Sequence, residues 1–250
     1  MTNLKNKVAL VTGSARGIGR AIAERYAALG ADVVLNYSSD SNSAQDAVRA
    51  IEKLGGVAIA IRADVSKAAD VERLFAGTLE AFGRLDIVVA NAGVELVGLP
   101  VVDFTEDQFD RMFSINTKGA FFTIQAAAKY VADNGRIIYV SSSTTGYPRP
   151  GYALHAGSKI APQYLIQVLA QELGKRGVAV NTIVPTAIEG AGLHSDVQAD
   201  SAIKKFVEDF CPMGRMGRPA DIANVAEFFA SDLSAFVSGQ QLLVSGGGAA

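Results

Sequence analysis

KVALVTGSARGIG, residues 7–19, joins a short apolar run to a glycine-rich turn, and an Ala-rich helical pattern follows at once. Gly13, Gly17 and Gly19 are spaced G-x-x-x-G-x-G. Glycines so placed allow a tight turn and let backbone N–H groups approach a pyrophosphate, to which the helix N-terminus adds partial positive charge. The loop, with Ser14, Arg16 and Ile18 between its glycines, is therefore a candidate phosphate cradle. Its spacing differs from the commoner G-x-G-x-x-G fingerprint. Alone it could be any glycine-rich strand-to-helix turn; its place in the first strand–helix unit gives it weight.

The same alternation continues outward. Further apolar runs lie at 31–37, 57–65, 85–93, 136–142, 178–185 and 241–247, with helix-like segments near 18–29, 42–54, 67–82, 105–131, 157–174 and 219–231. Seven apolar runs without polar alternation, separated by helix-length segments, predict an α/β chain with a parallel sheet covered on both faces. No Pro- or Ser-rich linker divides it, so residues 1–250 are expected to form one domain. Residues 186–218 break the rhythm and read as an irregular excursion around a short helix, of the kind that becomes a substrate lid.

With 49% hydrophobic and 19% charged residues, the chain can bury a sizeable core, which excludes global disorder. A net charge of −2 argues against a nucleic-acid partner. Cys211 is the only cysteine and His155 and His194 the only histidines, so no intrachain disulfide forms and no metal-ligand spacing appears. The N-terminus lacks a long apolar region, and no run approaches the roughly 18–20 residues that span a bilayer. The expectation is a soluble cytoplasmic protein acting on a small molecule, with neither metal nor membrane.

The end of the second strand selects the nucleotide. An acidic residue there binds a ribose 2′-hydroxyl and repels a 2′-phosphate. Here Asn36, Tyr37, Ser38 and Ser39 are neutral and rich in donors, while Arg16 lies in the glycine loop. A guanidinium suits phosphate by charge and by its fork. Together they point to NADPH, although a solvated surface arginine would look the same in sequence.

TGSARGIG, ADV (63–65), ANAG (90–93), the IN of SINTKG (115–116), RIIYVSS, the SK of HAGSK and the final GRPADIANVAEFFASDLSAFVSGQQLLVSGG together resemble the short-chain dehydrogenase/reductase family over essentially the whole chain. They are most similar to its 3-oxoacyl-carrier-protein and carbonyl reductases. The resemblance implies a single-domain Rossmann-like, doubly wound parallel sheet of seven strands, a nicotinamide cofactor and a homotetramer. It places Gly13, Arg16, Ile18 and Gly19 on the phosphates, and Asp64 and Val65 at the adenine. Asn91, Ala92 and Gly93 line the ribose crevice, and Pro185 and Ile188 face the nicotinamide. The family's catalytic asparagine, serine, acid and lysine fall on Asn116, Ser142, position 155 and Lys159. Ser142 is chosen over Ser141 and Ser143 by its register, thirteen residues before position 155.

Ala90, Thr186, Gly190 and Ser245 depart mildly from the family pattern. The departure that matters is His155, which stands where the family has tyrosine. On a helix, residues 155 and 159 share a face about 6 Å apart along the axis. A lysine ammonium favours phenolate in a neighbouring tyrosine, but it disfavours imidazolium and pushes histidine below its usual value of about 6.5. Three readings follow: His155 works as acid/base in reducing C=O; the substrate is an imine that arrives protonated; or the site binds NADPH without turnover.

Tyr152 is a candidate substrate contact with Ser142 and His155, although a packing role at the helix entrance is the plainer one; Tyr147 is a weaker candidate. His194 reads as a solvent-facing loop histidine, with a substrate contact as its alternative, and Cys211 as an apolar filler. Glu95 reads as a loop glutamate that could also serve as counter-charge for a cationic substrate.

Overall fold

The strand β1 (Val8–Val11) is buried along its whole length. Its side chains alternate between layers: Ala9 and Val11 enter one core, Val8 and Leu10 the other. In the computed structural model, which describes residues 2–195 and 202–248, the pattern repeats across a seven-stranded parallel sheet. The remaining strands are β2 (Asp32–Tyr37), β3 (Ala58–Arg62), β4 (Ile87–Ala90), β5 (Arg136–Val140), β6 (Ala179–Pro185) and β7 (Gln241–Val244). Their order is β3-β2-β1-β4-β5-β6-β7. The chain winds outward from β1 in both directions, so a crevice opens beyond the strand ends between β1 and β4.

Helices α1 (Gly17–Ala28), α2 (Ser41–Lys53) and α8 (Pro219–Ala230) cover one face through Ile22, Tyr26, Ile51, Ile222 and Phe229. The other face is covered by α3 (Ala68–Phe82), α5 (Ala120–Tyr130) and α6 (Ala153–Glu172), through Leu74, Phe75, Ile124, Ile166 and Leu169. Between α4 (Glu106–Phe113) and α5, residues Ser114–Gly119 form a π-helical turn within what the sequence reads as one helix. A widened turn of this kind redirects the side chains it carries.

Three boundaries differ from the sequence expectation. The third and fourth strand-like runs end early, at Arg62 and Ala90, so residues 63–65 and 91–93 become loops at the crevice rather than ladder positions. Helix α6 starts at Ala153, four residues before the expected 157, which places His155 in its first turn. Strand β7 is not buried: it is one of the two edge strands, and Leu242 and Leu243 are 40% and 36% exposed. Within 186–218 the described residues hold a turn at Gly192–His194, α7 (Ala202–Phe210) and a bridge from Ile188 to Gly217. Part of the lid expected there, residues 196–201, lies outside the described residues. Among the described residues no helix is long and apolar enough to cross a membrane.

Candidate active site

A cleft of about 940 Å³ runs along the C-terminal ends of β1 to β6, a volume at the large end for small-molecule sites. Its nucleotide end begins at Gly13, whose φ of +62° suits glycine, and whose absent Cβ would lie 2.8 Å from the Ala92 Cα. Asn91 binds the loop from the other side, donating from Nδ2 to the carbonyls of Thr12 (2.9 Å) and Gly13 (3.1 Å). Of the residues expected at the cofactor, Gly13, Arg16, Gly17, Ile18, Gly19, Tyr37, Ser38, Asp64, Val65, Asn91, Ala92, Gly93, Pro185 and Ile188 all line the cleft.

Two residues of that set behave otherwise. Ser14 is fully buried and does not line the cleft. Its hydroxyl donates to the Val11 carbonyl (2.7 Å) and accepts from the Asn36 N–H (3.1 Å), which leaves it a strut of the loop rather than a cofactor contact. Asn36 borders the cleft, but its side chain is spent on the scaffold. Oδ1 accepts from Gly13 N–H (3.2 Å) and Nδ2 donates to the Ala63 carbonyl (3.0 Å). The sequence also gave no weight to Asp40. It lines the cleft near Arg16, with its carboxylate held below the usual range first by Ser43, whose N–H and hydroxyl it accepts as cap of α2.

The opposite end gathers Ser142, Tyr152, His155 and Lys159. Ser142 Oγ accepts from the Thr144 N–H (3.4 Å) and the Thr144 hydroxyl (2.9 Å). With both lone pairs engaged, its own O–H is left to donate to a ligand oxygen. Lys159 is buried, and Nζ donates to the Val140 carbonyl at 3.1 Å. Burial pushes its ammonium down to about 8, with the Glu95 carboxylate opposing. Tyr152 precedes α6 and lines the cleft one turn ahead of His155.

Asn116 arrives from the π-helical turn but does not face a ligand. Its Oδ1 accepts from the Val94 N–H (2.8 Å), and Nδ2 lies 2.9 Å from the Val94 carbonyl, from Ser158 Oγ and from Met112 Sδ. The amide thus pairs with Val94 as a strand would and fixes the turn after β4. The turn itself is pinned to α6: Pro162 has no N–H for the Ser158 carbonyl, which accepts instead from the Thr117 hydroxyl at 2.7 Å.

His155 is 2% exposed, and its Nδ1 is buried without a protein partner. Nε2 lies 3.9 Å from Glu95 Oε1. Its imidazolium is held below the usual histidine range by burial first and by Lys159 second, against Glu95 and the Val94 backbone. The sequence supplies the direction and the lysine; burial, the larger cause, is visible only in the fold. His194 is also not the solvent-facing residue expected. It is half-buried and lines the cleft, and its charged form is disfavoured by burial against the pull of Glu95. Cys211 borders the cleft too, 3.5 Å from the Ser245 carbonyl. Among the described residues no group of three or more metal-ligating side chains converges.

These features have counterparts in known proteins. The family model described as enoyl-(acyl carrier protein) reductase matches residues 13–248. A hydroxynaphthalene reductase-like protein Arp2 of Metarhizium brunneum is 40% identical over 98% of this chain and 96% of its own. A short chain dehydrogenase of Burkholderia cenocepacia, solved in complex with NADP, superposes with a TM-score of 0.91 at 37% identity, covering 99% of both chains. A blue fluorescent protein from a metagenomic library, solved with NADPH, gives 0.91 at 36% identity over 99% of this chain and 100% of its own. The parallel sheet, the glycine cradle at its switch point and a match that runs nearly end to end leave one conclusion: the chain belongs to the short-chain dehydrogenase/reductase family.

Proposed function

We propose that this oxidoreductase uses NADPH to reduce the carbonyl group of a small organic substrate, with His155 as the proton donor. The observation that carries the reading is His155 itself: a nearly fully buried imidazole on the cleft wall, one nitrogen against Glu95 and the other without a protein partner.

The residues fit the cofactor. The Gly13–Gly19 loop offers backbone N–H groups at the start of α1, and Arg16 is exposed beside them with no acceptor engaged by its guanidinium. Asp40, an acid on the same wall of the cleft, already accepts from Ser43 as the cap of α2. NADP and NADPH in the two solved relatives support the same choice. A reduced nicotinamide bound there would supply the hydride and be left oxidised. Lys159 and the 91–93 turn, which line the cleft, would hold the ribose, and Pro185 and Ile188 the nicotinamide ring.

At the substrate end, Ser142 donates to the carbonyl oxygen. As hydride adds to the carbonyl carbon, the π pair moves onto oxygen, and the imidazolium of His155 gives its proton to that oxygen, becoming neutral. Solvent then returns a proton to His155. Because the imidazolium is held below the usual histidine range, reduction speeds up as pH falls and goes on rising below the ordinary value of about 6.5.

A second reading has one observation behind it. Glu95 is the only carboxylate at the substrate end among the described residues that line the cleft, and it suits a protonated C=N. A preformed iminium needs no acid, so its reduction should lack the acid-side rise. NADPH consumption against matched ketones and cyclic imines across pH 5–9 decides. His155→Ala should cost ketone reduction about 10²–10⁴-fold. Turnover of neither class, with NADPH still bound, overturns both readings in favour of a binding protein.

Self-association into a tetramer, a cytoplasmic setting for the lone free thiol, and a lid role for residues 186–218 complete the proposal. Support for the tetramer comes from exposed Phe121, Ile160 and Tyr164 on α5 and α6, and from Phe236, Leu242 and Leu243 at the β7 edge. Light scattering should give about four times the 26.1 kDa chain mass; a monomer mass refutes it.

A further inference from the structure

Glu95 has no role in the carbonyl reduction described above, yet three parts of the site meet at its carboxylate. Oε1 lies 3.9 Å from His155 Nε2. Oε2 accepts the Leu193 N–H at 2.7 Å, from the turn that opens the 186–218 excursion. The turn is shaped for this contact: Gly192 has φ of +54°, and a Cβ there would stand 2.3 Å from Oε2. Behind Glu95, the backbone of Val94 is clamped on both sides by the Asn116 amide. About a third of the side chain is exposed, whereas His155 is almost sealed. The carboxylate therefore stands between a buried base and water.

A buried imidazole beside a lysine has lost much of its capacity to hold a proton, and a carboxylate at ion-pair distance returns some of it. We infer that Glu95 is a positioning residue that keeps His155 protonatable, and that the same carboxylate ties this state to the seating of the Gly192–Leu193 turn over the cleft. The inference rests on the reading of His155 as proton donor, but its central contact can be tested without turnover.

The charged and titratable groups near His155 are Lys159 on its own helix and Glu95 after β4. Arg111 on α4, Tyr147, Arg149 and Tyr152 ahead of α6, and His194 after β6 also border this end of the cleft. Lys159 and burial work against the imidazolium; Glu95 works for it, and for the charged forms of Lys159 and His194 as well.

With only two histidines in the chain, their ring protons can be followed by NMR through a pH titration, with His194→Asn giving the assignment. In Glu95→Gln, which keeps an acceptor for Leu193 but removes the charge, the His155 midpoint should fall. A fall of about one pH unit leaves a roughly tenfold smaller imidazolium fraction near neutrality. The acid-side limb of kcat should move by the same amount, with the Kd for NADPH unchanged by fluorescence. Glu95→Asp should lower the midpoint less, and it decides the matter if the Gln variant does not fold. An unchanged or raised midpoint in both variants overturns the inference. A lowered midpoint in a protein that reduces no carbonyl leaves this inference standing and removes the reductase reading instead.

Discussion

Pro162 and Thr117 meet at a single atom, the carbonyl oxygen of Ser158. The proline cannot donate to it, and the threonine hydroxyl does so from another helix at 2.7 Å. A break in one helix thereby becomes the fastener of the π-helical turn that carries Asn116. Thr117→Val keeps the shape and removes the donor. It should cost about 1–2 kcal/mol and lower Tm by a few degrees. Adding Pro162→Ala, which restores an N–H for the same carbonyl, should return most of that loss in a thermal melt.

Cofactor choice should respond to Arg16. The parent should bind NADPH at least about tenfold more tightly than NADH, one charge-assisted phosphate contact being worth roughly 1.4 kcal/mol. Arg16→Ala should erase most of the difference by weakening NADPH alone. Equal affinities in the parent, measured by fluorescence titration, would remove Arg16 from the phosphate.

His155→Tyr sets the same lysine to the opposite task. The cation disfavours imidazolium but favours phenolate, so it brings a phenol down toward neutrality. Ketone reduction by the variant at pH 8 should exceed that of the parent, whose imidazole is neutral there, and the acid-side rise should flatten. A variant slower than the parent at pH 8 would show that the pocket is shaped around imidazole.

Lys159 should be a burden on the empty fold. Its ammonium is buried, with a value pushed down to about 8 against about 10.4 in an unfolded chain. Below pH 8 both states hold the proton and the folded state bears the full cost. Between about 8 and 10.4 the unfolded chain binds more protons, so stability rises with pH. Lys159→Met should therefore melt higher than the parent at pH 7 without cofactor, with an advantage that shrinks above pH 8, while reduction is lost.

The architecture was legible because it is written in period and punctuation. Apolar runs such as VALV and the glycines at 13, 17 and 19 constrain backbone geometry directly, and the register to Ser142, His155 and Lys159 survives as spacing. What a side chain does with its polar atoms was not legible. Asn36 and Asn116 look like donors awaiting a ligand, yet the fold spends both amides on neighbouring backbone. Ser14 sits in the right loop but points into the core. Glu95 and His194 lie 99 residues apart in the chain, so their shared position at the cleft comes from the crossover between β4 and β6, which no local pattern encodes. The π-helical turn leaves the apolar spacing of a long helix nearly intact, and so it passes unseen as well.

The placement of β1 beside β4 has a consequence for how the molecule comes into being. As the chain leaves the ribosome, β1, β2 and β3 can assemble with α1 and α2, but the open side of β1 waits for residues 87–90. Until then the glycine cradle exists with no opposite wall, and the half that carries Ser142, His155 and Lys159 has yet to be made. The site is a seam between an early half and a late one. The two walls of the cleft meet only when the second half docks, and an apolar strand edge at the centre stays exposed for that interval, the stage at which parallel sheets are most open to misassembly.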